Sequence, residues 1–286
     1  MYRNLQALIL FVLAVCACDA RRPQAYITPA VRFNKAAVAM GTPLEVTYVF
    51  RTSNDFDGLK KDLTVFVHFL DPRGVIRFVD DHTPPLLTNQ WGRGQEYSYT
   101  RTVFVPENIP PGEYVVELGM YTPSGKGERF ALKANRLSER SYDVGHFAVQ
   151  PLPAGADGEY VRGWYDVERE PGNPWEHWRW ISSSAVLRVR NPGADAILYL
   201  KTDTDRSRFP EPQKVTVYLG DMEVGAFAME SNEPVVQKFP LRVAQLGHAA
   251  TLDLRLEVDH TFTPGGADSR NLGIRIYSFY LGRATE

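Results

Sequence analysis

The chain has 286 residues, 44% of them hydrophobic and 23% charged, and 32 Lys and Arg against 34 Asp and Glu leave a formal net charge of -2. That length suits two domains of ordinary size, and the composition is that of a folded chain rather than a disordered one. Basic residues never run beyond pairs, which argues against a nucleic-acid partner, since that would ask for a basic face.

Met1 to Cys18 reads as an export signal. Arg3 supplies a thin positive start, and Leu5 to Val15 is an apolar run broken only by Gln6. Such a run fits a signal-peptide core and is too short to cross a hydrocarbon layer of ~30 Å. Val15-Cys16-Ala17-Cys18 resembles a bacterial lipobox, although Cys16 stands where Ala, Ser or Thr is more usual. The resemblance implies cleavage before Cys18 and its acylation, palmitate being one such chain. The other reading is plain secretory cleavage after Ala17 or Ala20. Both cysteines lie in this segment, so the mature domains would hold no disulfide. Residues 19–25 form a polar tether reaching at most about 25 Å.

Residues 26–150 carry strand signals throughout. Pro43 to Phe50 alternates, with Leu44, Val46, Tyr48 and Phe50 on one face; Leu63 to Leu70 is apolar on both faces; Val75 to Val79 follows the turn Asp71-Pro72-Arg73-Gly74. Further strands are expected at 97–105, 113–121 and 142–149. Short strands separated by Pro/Gly turns predict an immunoglobulin-like β-sandwich. His68 and the Asp80-Asp81-His82 cluster are the polar candidates here. Read structurally, Asp71 and Asp80 serve turns and His68 is a hydrogen-bonded strand residue, and that reading is preferred to metal or sugar binding. Trp91 reads as a core plug.

Residues 151–160, rich in Pro, Gly and Ala, form a linker to a second domain over 161–286. Four of the five tryptophans cluster at its start: Trp164, Trp175, Trp178 and Trp180. Two prolines and a glycine near Trp175 point to a loop there. Strands are expected at 185–189, 197–202, 214–219, 223–229 (a hairpin across Gly220-Asp221), 235–241, 251–258 and 272–281. The pattern predicts a jelly-roll-like sandwich, making the whole chain all-β.

Two resemblances enter on these motifs. Val65-Phe66-Val67-His68-Phe69-Leu70-Asp71, Thr88-x-x-Trp91-x-x-Gly94, Pro110-Pro111-Gly112-Glu113-Tyr114 and Gly119-Met120-Tyr121 resemble a β-sandwich module attached to bacterial family-39-type membrane glycosyltransferases. Gly163-Trp164-Tyr165-x-x-Glu168, Trp178-Arg179-Trp180, Phe262-x-Pro264 and Asp268-x-Arg270-x-Leu272-Gly273 resemble a second such module, similar in outline to carbohydrate-binding sandwiches. The resemblance implies an envelope lipoprotein that handles glycan.

A sugar presents apolar C–H faces ringed by hydroxyls, so a flat aromatic beside planar polar groups suits it. The candidate glycan-binding residues are therefore Trp164, Glu168, Trp175, Trp178, Trp180 and Arg270. On a strand Trp178 and Trp180 share one face, with His177 and Arg179 on the other. The structural alternative is that the indoles are core and that Arg270 forks onto Asp268 or Glu168 to close the sandwich. No HExxH, Gly-x-Ser-x-Gly, phosphate loop or mature Cys nucleophile is present, so no catalysis, cofactor or metal is expected. The expected protein is a non-catalytic lipoprotein on the periplasmic or outer face of a bacterial envelope. It is held to the membrane by its lipid and binds envelope polysaccharide or a glycan-handling membrane protein. The other reading is a scaffolding lipoprotein that docks protein partners through sheet edges.

Overall fold

The computed structural model describes residues 24–124, 127–152, 158–171 and 173–284, with the side chains of 173–175 left out. The expected signal peptide, Cys18 and most of the tether lie outside the described residues, as does the Trp175 side chain.

The protein is all-β. Among the described residues ten strands precede residue 151: β1 (Ile27–Phe33), β2 (Ala37–Ala39), β3 (Pro43–Thr52), β4 (Thr64–Leu70), β5 (Ile76–Val79), β6 (Glu96–Phe104), β7 (Gly112–Tyr121), β8 (Arg129–Phe130), β9 (Asn135–Ser138) and β10 (Ser141–Gln150). They form two sheets. One has the order β1-β3-β6; the other runs β2-β10-β7-β4-β5, with β8 and β9 added on β7 and β10. The alternation seen in β3 decides how they pack: Leu44, Val46, Tyr48 and Phe50 are all fully buried, against Val65, Val67 and Phe69 of β4 and Tyr114, Val116 and Leu118 of β7. Burying both inner faces makes a sheet-on-sheet sandwich, immunoglobulin-like in its layering.

The second sandwich takes its strands from residues 159–283: β11 (Glu159–Glu170), β12 (Asn173–Arg190), β13 (Ala196–Asp203), β14 (Gln213–Leu219), β15 (Met222–Met229), β16 (Val235–Leu241), β17 (Thr251–Val258) and β18 (Arg275–Arg283). All belong to one continuous sheet, ordered β15-β14-β17-β12-β18-β13-β16 with β11 on β12. Strand β12 is long enough to serve both layers. Its second half, Ser184–Arg190, pairs with β17, while Arg179 and Trp180 pair with β18. The sheet folds over itself there and encloses Ile181, Leu187, Leu198, Val215, Leu254 and Ile274.

Two expectations are corrected. The tryptophan-rich stretch is strand rather than loop: β11 and β12 form an antiparallel hairpin, because residues 159–170 find pairing partners along β12 that outweigh the local Pro and Gly signals. Asp80 does not serve a turn. It accepts from Nε and Nη2 of Arg101 and from the Tyr48 hydroxyl, a half-buried ion pair on the first sandwich. Asp71 does serve its turn, accepting from the backbone N–H groups of Arg73 and Val75. His68 bonds Glu117 across β4 and β7. Trp91 is 3% exposed, with its N–H on the Leu86 carbonyl and its ring stacked on Tyr97. The two sandwiches meet: Lys238 of β16 ion-pairs with Glu45 of β3.

Candidate functional site

The site grows from the β11–β12 hairpin. The register slips between Arg162 and Trp164, and Gly163 stands at the slip with φ +79°. A Cβ there would lie 1.9 Å from the Ser184 carbonyl oxygen, so only glycine lets the two backbones approach this closely. The bulge lays Trp164 against the second core. Its indole N–H donates to the Val186 carbonyl at 2.8 Å, and Tyr160 meets its ring edge-on.

Further along β12, Trp178 and Trp180 share a face as strand geometry requires. They are 7% and 8% exposed and form a small aromatic cluster with Leu272, Tyr165, Phe262 and Tyr277. Arg275, the cross-strand neighbour of Trp180, lays its guanidinium over Trp178 at 4.9 Å and Trp180 at 5.6 Å from the ring centres. Such cation–π contacts gain from partial desolvation. Asp203, at the end of β13 and 1% exposed, holds Arg275 there. It accepts from Nε and Nη2 at 2.6 Å each, and from the Tyr277 hydroxyl at 2.8 Å. Burial raises the Asp203 pKa, opposed by those hydrogen bonds. Burial also raises the Tyr277 pKa, with Asp203 beside it acting in the same direction. The indole N–H of Trp178 is buried with no hydrogen-bond partner among the described residues.

A loop closes over this cluster. Phe262 and Leu272 exchange backbone hydrogen bonds, and a turn with Gly265 and Gly266 at positive φ sits between them. Asp268 accepts from the Arg270 backbone N–H and from its Nε and Nη2. Arg270 Nη1 reaches Glu168 of β11 at 2.6 Å. The Tyr165 hydroxyl donates to the Asn271 carbonyl and accepts from its N–H, so loop and hairpin are fastened twice. Hydrogen bonds from Arg270 hold the Asp268 carboxyl below its ordinary pKa, and those to Asp268 and Glu168 raise that of Arg270.

Beside this fork lies an open trough of about 400 Å³. Glu168, Asp268 and Arg270 form its polar wall, Trp180, Phe262 and Leu272 its apolar wall. Phe262 is half-buried and meets Trp180 edge-on at 5.7 Å. Of the residues singled out from sequence, Glu168, Trp180 and Arg270 come together here. Trp164 and Trp178 line a different depression, toward the first sandwich. As stacking platforms Trp178 and Trp180 are corrected: both are more than nine-tenths buried beneath the Arg275 guanidinium, and the more exposed ring of the trough is Phe262, with the Arg208 guanidinium 5.3 Å from its centre. Sequence reading placed Phe262 only within a motif. It missed Asp203 and Arg275 entirely, since nothing local marks a polar residue at a strand end as half of a buried pair.

No family model matches the sequence, and no curated protein matches it. Solved structures of partly similar shape do exist. One is the alkylpurine DNA glycosylase AlkC of Pseudomonas fluorescens bound to DNA (13% identity, 44% of this chain and 31% of that one, TM-score 0.28). Another is the Bacteroides ovatus SGBP-B protein of a mixed-linkage glucan utilization locus, in complex with a heptasaccharide (11% identity, 89% of this chain and 53% of that one, TM-score 0.26). A third is the tandem CBM22-1–CBM22-2 domain of Paenibacillus barcinonensis Xyn10C (9% identity, 91% of this chain and 93% of that one, TM-score 0.27). The chain spans about a third to a half of the length of the first two. At these scores the likeness is too slight to bear on function.

Proposed function

We propose that the protein is a non-catalytic glycan-binding protein of a bacterial cell envelope, exported behind Met1–Cys18, anchored through acylated Cys18 and working beside a glycosyltransferase or polysaccharide system. The trough at the β11–β12 hairpin is its sugar site. One observation carries this: an apolar wall of Phe262 and Trp180, with the Arg208 guanidinium over the Phe262 ring, faces a fork in which Arg270 bridges Asp268 and Glu168. That pairing matches the two faces of a pyranose, and the volume of about 400 Å³ lies within the range of small-ligand sites.

The same fork argues against hydrolysis. A glycosidase needs one carboxyl held protonated as an acid. Asp268 is pushed the other way by Arg270. Asp203, whose pKa is raised, is closed off by Arg275 and Tyr277.

A glycan array with the full chain, followed by calorimetry of any hit, tests the reading. Phe262→Ala and Arg270→Gln should each weaken a hit at least tenfold. A flat array across bacterial polysaccharides retires the proposal. The scaffolding reading has one observation in its favour: β5 is a sheet edge with Ile76 and Val79 exposed, the kind of edge a partner strand extends.

A further inference from the structure

A second depression runs between the two sandwiches. Its larger part, about 530 Å³, has Phe78, Asp80 and Arg101 on one side and His177, Lys201 and Tyr277 on the other. A neighbouring hollow of about 290 Å³ reaches Trp164 and Trp178 and shares Glu107, His177, Tyr277 and Ser278 with it. Shared walls make the two one elongated groove, separate from the trough of Glu168 and Arg270.

Two donors in this groove lack acceptors. The Lys201 ammonium lies 5.3 Å from the centre of the Tyr277 ring and has no hydrogen bond or ion pair among the described residues. Of the carboxylates around it, Glu176 on the groove wall acts on Lys201 most strongly, while Asp80 is engaged by Arg101 and Tyr48 and Asp203 by Arg275 and Tyr277. Burial accordingly pushes the Lys201 pKa below the ordinary lysine value, against the opposing charge of Glu176. The second donor is the buried, unpaired N–H of Trp178. An unsatisfied buried donor costs about 1–3 kcal/mol, so the Trp178 N–H asks for an explanation; Lys201, only part-buried, stays within reach of water and of a ligand.

We propose that the groove between the sandwiches is a polysaccharide site for a sparsely carboxylated glycan, with Lys201 receiving a sugar carboxylate and the Trp178 N–H a hydroxyl or ring oxygen. Elongation of the groove favours a chain over a free anion. The exposed carboxylates Asp81, Glu107 and Glu233 along it favour a chain with one acid among several neutral units over a polyanion, which they would repel. The inference is independent of the trough.

The test is calorimetry on the full chain with glucuronoxylan oligomers, the same oligomers carboxyl-reduced, polygalacturonate oligomers and inorganic phosphate. The glucuronoxylan oligomer should bind, and carboxyl reduction should weaken it at least tenfold. Lys201→Met should weaken it as much while leaving the reduced oligomer unaffected. Trp178→Phe should weaken both several-fold at a temperature where the variant is still fully folded, since shrinking a buried ring also lowers the unfolding midpoint. Arg270→Gln, which disables the trough, should leave groove binding intact, so the two sites fail separately. If Lys201→Met does not fold, reductive 13C-methylation reads the lysine directly, and its resonance should move with ligand. Absence of binding, equal binding by Lys201→Met, tighter binding of polygalacturonate, or full competition by inorganic phosphate would each overturn the proposal.

Discussion

Replacing Asp203 by Ala is the sharpest test of how the candidate site is held together. The carboxylate is 1% exposed and accepts two hydrogen bonds from Arg275 and one from Tyr277. Breaking a buried pair from one side typically costs 3–5 kcal/mol, because the other charge stays behind unpaired. The Arg275 side chain is 25% exposed, so water recovers part of its solvation and the lower end applies, about 3 kcal/mol. Guanidinium unfolding followed by tryptophan fluorescence is the assay, since four of the five tryptophans lie in β11 and β12 and report on the second sandwich. With a slope of about 3 kcal/mol per molar for a domain of this size, the midpoint should fall by about 1 M. The double variant Asp203→Ala/Arg275→Met should recover much of that loss, since no orphan charge remains. A single-variant shift below about 0.3 M, equivalent to less than ~1 kcal/mol on the same slope, would refute the claim that this pair organises the aromatic cluster.

Other outcomes follow from the same geometry. Gly163→Ala puts a Cβ against the Ser184 carbonyl at positive φ and should cost about 2–4 kcal/mol in the same assay, with a red shift from a displaced Trp164. Asp71 is buried, and burial alone would raise its pKa, yet bonds from the Val75 N–H, Arg77 and the Arg73 N–H leave it lowered. Its contribution is therefore present above the unfolded value of about 3.9 and is lost as pH falls through the folded value. Asp71→Asn should flatten that acid limb of stability, measured by chemical unfolding of the first sandwich. The Lys238–Glu45 ion pair between the sandwiches is partly exposed, so Lys238→Met should change stability by no more than about 1 kcal/mol and lose even that in high salt.

Much of the fold is legible in the chain because a strand writes its burial with period two. Leu44, Val46, Tyr48 and Phe50 announce the inner face of β3, and Leu252, Leu254, Leu256 and Val258 that of β17; all eight are buried. Gly220 at positive φ closes the β14–β15 hairpin where the Gly-Asp signal puts it. The β11–β12 hairpin was harder to see. Its register slips repeatedly, so its residues do not alternate cleanly, and Pro174 and Gly172 look like breakers. Short strands such as β2, β8 and β9 owe their existence to a neighbour's open edge and leave no local trace.

The sequence alone determined that the chain is all-β, that its strands bury alternate side chains, and that indoles and an Asp-x-Arg pair mark one region of the second sandwich. It could not determine which of those groups meet, because alternation fixes the face a side chain takes but not the strand that will lie opposite. Glu168 and Arg270 are 102 positions apart, and Asp203 and Arg275 are 72 apart. Only the pairing of β13, β18 and β12 into one folded sheet brings Asp203 and Arg275 under the indoles. Only the meeting of the two sandwiches makes Lys201 part of a groove wall. Burial then separates the rings: Trp178 and Trp180 become walls, and Phe262 stays the more exposed ring of the trough.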